Sequence, residues 1–372
     1  MKFQAKKMKN KLCLADNIFF ELIRVAIGNA VCLSHTPTAT EWNELYAMAK
    51  KQSLVGICFA GVQRLQGQQQ CPPEQLYLQW MGMAAKIQQR NETLNRQCAE
   101  LQAKLSDCGM RSSILKGQGM ASLYSEPLRA LRQSGDIDVW VDGSIDSTIG
   151  TLKSAGIEVK NVNIKHAEAE VFEGTEVEIH FVPTWFYNPV TQGKLAQWIE
   201  KSKEAQMTNL QNGLVVPTIE FNLVYSLIHL FRHTLDEGVG LRQLMDYYFV
   251  LKTLSISPLK GEYLIQVKNV ISDLGLNRFA SALMCVLGHV FGLERECMLW
   301  EPNEKDGRLL LDEVMTGGNF GRHNEEQNDR KGKMGYSVWA LFFRNLRLSR
   351  FDRGDWFWGP VWRISHKLTK MQ

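Results

Sequence analysis

LRQSGDIDVWV, residues 131–141, predicts a buried β-strand that carries two aspartates on one face. Because side chains alternate across a strand, Asp136 and Asp138 point the same way, with backbone positions roughly 6.6 Å apart. Two carboxylates at this separation repel each other, and one is pushed toward its neutral form unless a cation lies between them. The stretch therefore predicts a metal site on one face of a sheet.

A second acidic strand follows about 40 residues later, in TEVEIHF. Alternation places Glu176, Glu178 and His180 on one face of this strand and apolar side chains on the other. The intervening chain is long enough for a crossover helix and a hairpin, which would bring the two strands side by side. We therefore expect Asp136, Asp138 and Glu178 to converge on an oxygen site that suits Mg²⁺, whose shell is completed by water and substrate phosphates.

A glycine-rich turn precedes both acidic strands, in ILKGQGMA. Gly117 and Gly119 end a predicted strand and begin a helix, and backbone amides in such a turn bind phosphate oxygens. Lys116 adds a positive charge at the same place. An acidic strand face is often only a solvated edge, and a lysine-glycine turn is common. The order of the three features in the chain is what favours a site.

The pattern of apolar residues predicts an α+β fold, with a small mixed sheet between helical N- and C-terminal regions. Residues 1–109 are expected to be helical, 110–205 to form the α/β core, and 206–372 to be helical again. In the first region, TATEWNELYAMAKKQSLVGICFAGVQRL is predicted to begin its helix near Thr40. The polar, glycine-rich stretch 316–335 is predicted to be a linker loop.

Five strands are expected in the core, separated by two helices. They are predicted in RSSILKG, DIDVWVD, IEVKNVNI, AEAEVFEG and TEVEIHFVP, and the helices in QGMASLY and SIDSTIGTLKSAG. A strand, helix, strand, helix and hairpin in this order indicate a mixed sheet with helices packed against it.

At these residues the chain resembles the nucleotidyltransferase superfamily with the polymerase-beta-like fold, and more narrowly a bacterial group of uncharacterised nucleotidyltransferases. The resemblance covers roughly residues 110–250, and GDIDVWV and VEIH are its most specific motifs. The matching residues are ILKG (114–117), Tyr124, Pro127, Arg132, GDIDVWV (135–141), VEIH (177–180), His229, LR (241–242) and Asp246.

The resemblance implies transfer of a nucleoside monophosphate from a nucleoside triphosphate (NTP) to an acceptor, with release of pyrophosphate by a two-metal mechanism. Asp136 and Asp138 would hold Mg²⁺ or Mn²⁺, and Glu178 would be the third ligand or the base. The acceptor is left open between a metabolite, a protein and an RNA end. The residues implied in nucleotide binding are Lys116, Gly117, Gly119, Arg132, His180 and Arg242.

The chain departs from the superfamily at the turn, where Lys-Gly-Gln-Gly replaces the usual glycine-serine pair. This departure keeps a second hypothesis open, namely a catalytically degenerate protein that binds nucleotide or partners. Arg132 is expected either to neutralise the triphosphate or to pair with the aspartates. Arg242 and Asp246, four apart on a helix, are expected to form an ion pair or to lie near the nucleotide.

Two further patterns, a histidine pair and a basic C-terminal segment, each have a structural as well as a functional interpretation. His229 and His233 lie four apart on a predicted helix, as zinc ligands do, but the glutamate of a zinc protease motif is missing, so that structural histidines are favoured. The segment from 342 onward interleaves arginine and tryptophan and carries about five excess positive charges. It is predicted either to bind RNA or an anionic membrane surface or, more simply, to be an amphipathic helix packed on the helical region.

Composition indicates an ordinary globular chain. Of 372 residues, 45% are hydrophobic and 22% charged, which excludes wholesale disorder, and a net charge of +4 does not by itself imply a polyanionic partner. Eight cysteines without a C-x-x-C pair favour the reducing cytoplasm. The N-terminal apolar stretch is interrupted by polar residues and is predicted to be an amphipathic helix, and no run is long enough for a membrane span.

Overall fold

The structure is a computed structural model that describes most of the chain. Its described residues are 18–202, 207–209, 213–236, 238–256, 261–318, 346–352 and 354–369. The helices are α1 (18–27), α2 (Ala39–Lys51), α3 (Val55–Leu65), α4 (Glu74–Asp107), α5 (Gln118–Ala121), α6 (Leu128–Leu131), α7 (Ile145–Ser154), α8 (Pro189–Ser202), α9 (Ile219–Leu235), α10 (Leu241–Ser255), α11 (Gly261–Asp273), α12 (Asn277–Phe291), α13 (Glu304–Gly317) and α14 (Asp355–Thr369). The strands are β1 (Ser112–Ile114), β2 (Ile137–Val141), β3 (Glu158–Lys160), β4 (His166–Phe172), β5 (Thr175–His180), β6 (Met207–Asn209) and β7 (Val215–Pro217).

The first five strands form one mixed sheet in the order β1-β2-β5-β4-β3, and β6 and β7 form a small separate pair. Strands β2 and β5 are parallel neighbours, with Asp138 directly opposite Glu178. Strand β4 is antiparallel to β5, and His166 lies opposite His180. The expected adjacency of the two acidic strands is confirmed, as are the α+β class and the small mixed sheet between helical regions.

Helices cover both faces of the sheet. The odd-numbered apolar residues of β2, such as Val139, pack with Leu101 of α4 and Leu152 of α7 in one buried cluster. On the opposite face, the Trp140 ring stacks on Phe221 of α9 at a centroid distance of 5.4 Å. The acidic face of β2 and β5 therefore lies on the α9 side of the sheet, where Asp138 and His180 are buried while Asp136 and Glu176 remain exposed.

The helices before and after the sheet share one hydrophobic core, which runs from Phe19 in α1 to Phe291 in α12. Polar contacts tie the same layers together. Asn29 donates hydrogen bonds to the Tyr248 hydroxyl (2.8 Å) and to the Phe291 carbonyl oxygen (2.6 Å). The two helical regions predicted from the sequence thus pack against each other as well as against the sheet.

Several predicted boundaries are wrong. The helix expected to continue through TATEWNELYAMAKKQSLVGICFAGVQRL is broken between α2 and α3, where Ser53 has a φ of 54°. Its N-cap is Thr38, two residues before Thr40, and Thr38 forms a capping box with Glu41. The strand predicted in IEVKNVNI is only three residues long, and the helix in QGMASLY only four.

Other predictions concern residues that the structure describes only in part. Of the predicted polar loop, residues 319–335 lie outside the described residues, as do several arginines of the basic C-terminal segment. The described cysteines are free thiols. In the described part of the chain, no single helix is long and apolar enough to cross a membrane. The pair α11 and α12, bent by 116°, meets the length and composition of a broken membrane span, and by these two properties alone.

Candidate active site

A cavity of about 480 Å³ lies between the acidic face of the sheet and helices α9 and α10. It contains every site residue predicted from the sequence except Gly119, together with aromatic and basic residues that were not predicted. The predicted residues that line it are Lys116, Gly117, Arg132, Asp136, Asp138, Glu178, His180 and Arg242. Residues not predicted as site residues include His166, Trp185, Tyr225, His229, Arg232, His233 and Asp236.

Asp138 is the buried centre of this cavity and is only 3% exposed. Its Oδ1 accepts hydrogen bonds from Lys116 Nζ and His180 Nε2, both at 2.7 Å. Burial alone would favour the neutral acid, but the Lys116 charge and the His180 hydrogen bond outweigh it and lower the pKa of Asp138 far below its usual value. Asp138 is therefore ionised and held between two positively polarised groups.

Asp136 and Glu178 flank Asp138 and differ from it electrostatically. Repulsion by Asp138, followed by burial, raises the pKa of Asp136, which is the conflict expected for two carboxylates on one face. Glu178 is about one-third exposed and lies 3.2 Å from His180 Nε2, and the hydrogen bond from His180 lowers its pKa. The site thus carries more negative charge at Asp136 than its surroundings neutralise.

The glycine turn places Lys116 beside Asp138. The Leu115 amide donates to the Asp138 carbonyl oxygen (2.9 Å), which extends the pairing of β1 and β2 up to the lysine. Gly117 then has a φ of +50°, a conformation that favours glycine. At Gly119 a Cβ would lie 2.3 Å from the Ile114 carbonyl oxygen, so that only glycine lets α5 pack this closely.

Arg132 is engaged by α10 and not by the aspartate pair of β2. Its Nε and Nη2 donate to the two carboxylate oxygens of Asp246, each at 2.7 Å, and Asp246 also accepts from the Tyr124 hydroxyl at 2.7 Å. Arg132 and Asp246 are both buried. One turn earlier on α10, Arg242 donates to the Gln133 carbonyl oxygen (2.7 Å) and lines the cavity.

The two histidines of α9 contact each other, with His229 Nε2 and His233 Nε2 2.9 Å apart. Burial, with a smaller contribution from His233, lowers the pKa of His229 well below its usual value, so that His229 is neutral. They line the same cavity but do not belong to a group of three metal-ligand side chains among the described residues. The favoured interpretation of them as structural histidines agrees with this geometry.

His166 is the functional candidate that sequence reasoning missed. A ring nitrogen of His166, a carboxylate oxygen of Glu178 and a ring nitrogen of His180 lie within 4.8 Å of one another. The predicted strand AEAEVFEG began one residue after His166, and only the register of the hairpin reveals that His166 faces His180. The sequence of β4 itself contains no signal for this role, because it depends on the pairing of the hairpin.

The donor groups of the cavity suit the divalent ion that the resemblance implies. The carboxylates of Asp136, Asp138 and Glu178 are hard oxygen donors, and the raised pKa of Asp136 marks negative charge that a cation would neutralise. Asp138 carries Lys116 at 2.7 Å, so that an ion on Asp138 competes with the ammonium group. The residues present therefore fit a divalent ion, most directly on the Asp136 side.

Comparisons with known proteins identify the family of this chain. Residues 38–292 match the family described as uncharacterised nucleotidyltransferase, and because this is more than half of the chain, the chain belongs to that family. A solved structure of an antigenic nucleotidyltransferase-like protein from Paracoccidioides brasiliensis is similar at 13% identity and a TM-score of 0.36, over 58% of this chain and 96% of that one. No protein of curated function matches the chain.

Proposed function

We propose that this chain transfers a nucleoside monophosphate from an NTP to an acceptor hydroxyl and releases pyrophosphate. The observation that carries the proposal is the gathering of Asp136, Asp138, Glu178 and Lys116 in one cavity of a chain that belongs to the nucleotidyltransferases. A cavity of about 480 Å³ is in the range that holds a small ligand. A bond forms between the acceptor oxygen and the α-phosphorus, the bond from the α-phosphorus to the bridging oxygen breaks, and its electron pair leaves with pyrophosphate.

The chain's own residues supply position, charge and a proton acceptor. Divalent ions, Mg²⁺ or Mn²⁺, would supply charge neutralisation for the triphosphate and the departing pyrophosphate. Asp136 and Asp138 are the proposed ligands, and Glu178 is the proposed third ligand or the base that takes the acceptor's proton. The lowered pKa of Glu178 keeps it ionised at neutral pH, as either role requires.

The nucleotide-binding roles follow from charge and position. Lys116 and Arg242 are the proposed contacts to the triphosphate, beside the Gly117–Gly119 turn and His180. Arg132 is assigned to holding the cavity wall, because its Nε and Nη2 already donate to Asp246 and its Nη1 donates to the Ser134 hydroxyl. The acceptor stays open between a metabolite, a protein and an RNA end, and the cytoplasmic location stays a prediction.

A second function has one observation in its favour. The Lys116 ammonium group already neutralises Asp138, and the glycine turn departs from the superfamily pattern. A catalytically degenerate protein that binds nucleotide or partners in the same cavity is compatible with both facts. The two functions differ in whether pyrophosphate is released.

Asp136→Asn separates catalysis from folding in this site. Removing the Asp136 charge relieves repulsion with Asp138, so the variant should fold at least as well as the wild type, whereas loss of Asp138 would remove the carboxylate 2.7 Å from Lys116 and leave His180 only its longer contact with Glu178. In the wild type, Mg²⁺ with an NTP at about 100 times its Kd should stabilise the protein by about 2.7 kcal/mol. Thermal melting with and without each Mg-NTP measures this effect.

The matched control is Glu176→Gln, on the same strand as Glu178 but outside the cavity. We expect Glu176→Gln to keep the stabilisation by Mg-NTP and Asp136→Asn to lose it. Incubation with α-labelled NTPs in a lysate then identifies the labelled acceptor, and pyrophosphate release should disappear in Asp136→Asn. Equal pyrophosphate release by both variants would contradict the assignment, and stabilisation without any release or labelling would favour the degenerate alternative.

A further inference from the structure

The hairpin of β4 and β5 brings three potential metal ligands together at one end of the cavity. His166 lies directly opposite His180 across the two antiparallel strands, and Glu178 is two residues before His180 on the same face. The ligand atoms of the three side chains lie within 4.8 Å of one another, and the two imidazole centroids are 5.5 Å apart. The hairpin register thus brings two imidazoles and a carboxylate close enough to share one ion.

Unpartnered nitrogens form a second, independent observation. Nδ1 of His166 and Nδ1 of His180 are both buried and have no hydrogen-bond partner among the described residues. A buried polar atom without a partner costs about 1–3 kcal/mol, and native structures usually explain each one by a water molecule or an ion. Two such atoms in one three-residue group indicate a missing common partner.

The surroundings of His180 are those of a metal-binding imidazole. Its Nε2 is 2.7 Å from Asp138 Oδ1, and a carboxylate on one ring nitrogen fixes the tautomer and orientation that the other nitrogen needs to bind a metal. Asp138 would then act as a positioning residue for His180. This role is additional to the ligand role proposed for Asp138 in the transfer reaction and uses an interaction that is already formed.

We propose that His166, Glu178 and His180 bind one divalent transition-metal ion of the Zn²⁺ and Co²⁺ class. Two imidazoles and one carboxylate suit these borderline ions, whereas Mg²⁺ prefers oxygen ligands alone. Three protein ligands leave a coordination position for water or substrate, and all three side chains line the cavity. The site shares Glu178 with the proposed oxygen site but adds the two imidazoles and does not include Asp136, and it goes beyond the proposed transfer reaction because it requires no nucleotide.

Cobalt is the probe, since Co²⁺ has visible absorption that reports its ligands. Untagged full-length protein, freed of metal by a chelator, is titrated with Co²⁺ alone and followed by calorimetry and visible absorption. We expect one ion per chain, displacement of Co²⁺ by an equal amount of Zn²⁺, and persistence of the signal in excess Mg²⁺. Loss of a ligand in His166→Ala should weaken binding at least about 100-fold.

Two further variants keep the test independent of folding and of the transfer reaction. Glu178→Gln removes a ligand charge without removing volume and should also weaken Co²⁺ binding, while His35→Ala, at an exposed histidine far along the chain, should leave it unchanged. Asp136→Asn should keep Co²⁺ binding even though it loses the response to Mg-NTP. Equal Co²⁺ affinity in the wild type and in both ligand variants, or displacement of Co²⁺ by equimolar Mg²⁺, would overturn the proposal and leave the proposed function untouched.

Discussion

Arg132→Met tests whether the buried ion pair with Asp246 holds the cavity wall. Both residues are less than one-tenth exposed, and two hydrogen bonds of 2.7 Å join them. Removing one member of a buried pair leaves the other charge uncompensated and typically costs about 3–5 kcal/mol. Unfolding entropy of about 2.1 cal/mol/K per residue gives roughly 0.8 kcal/mol/K for a chain of this length, so that Tm should fall by about 4–6 °C.

The assay is thermal melting followed by circular dichroism, with three companion variants. Arg129→Met is the matched control, because Arg129 lies in the same segment but is about half exposed and pairs weakly with Glu126 at 3.7 Å, a contact worth less than about 1 kcal/mol. Arg132→Lys keeps the charge but loses the two-pronged geometry and should fall between the extremes. The double change Arg132→Met with Asp246→Leu removes both charges and should recover most of the lost stability.

The opposite outcome has a definite meaning. If Arg132→Met melts within about 1 °C of Arg129→Met but loses its stabilisation by Mg-NTP, Arg132 serves the triphosphate and not the wall. If the double variant is as unstable as the sum of the two single changes, the two side chains do not act as a pair, and the reasoning from the buried charge is refuted.

Two further changes test local geometry. Gly119→Ala places a Cβ within 2.3 Å of a β1 carbonyl oxygen, so it should lower the free energy of unfolding by about 1–3 kcal/mol and weaken the Mg-NTP response. Its control is Gly150→Ala inside α7, which has open space around its Cβ and should stabilise the protein slightly. Equal melting temperatures for the two variants would contradict the close approach at Gly119. Burial raises the pKa of Asp355 to about 6, although hydrogen bonds from two backbone amides lower it; the Asp352 charge also raises this pKa and the Arg232 charge lowers it. The folded state therefore favours the neutral form of Asp355. Acidification from pH 8 to pH 5 should raise the free energy of unfolding of the wild type by about 1 kcal/mol relative to Asp355→Asn, as measured by denaturant unfolding. Parallel pH profiles of the two proteins would contradict this prediction.

The pairing of the two acidic strands was predictable, because side chains alternate between the two faces of a strand. Alternation in β2 and β5 fixed which residues share a face, and the length between the strands allowed the parallel pairing that sets Asp138 beside Glu178. The glycine turn was predictable for the same local reason, since Gly117 and Gly119 stand where the backbone requires them.

Features that depend on distant parts of the chain were not predictable. The register that sets His166 opposite His180 follows from the hairpin, and no local pattern reveals it. Arg132 and Asp246 are 114 residues apart and meet only when α10 packs over the cavity. The break at Ser53 interrupts a continuous apolar pattern, because packing of α2 and α3 on the shared core overrides local helix propensity.

Because α1 and α12 share one core, the native contacts of α1 cannot be completed until most of the chain has been synthesised. Arg24 donates to the Val290 carbonyl oxygen at 3.3 Å, so the contact joins positions 266 residues apart. At a translation rate of about 5–20 residues per second, the ribosome needs roughly 15–50 s to make the second partner after the first. Throughout that interval the apolar side of α1 lacks its native contacts with α12. Chaperone depletion or slowed elongation should therefore lower the soluble yield of this protein more than that of a protein whose core forms between segments close in sequence.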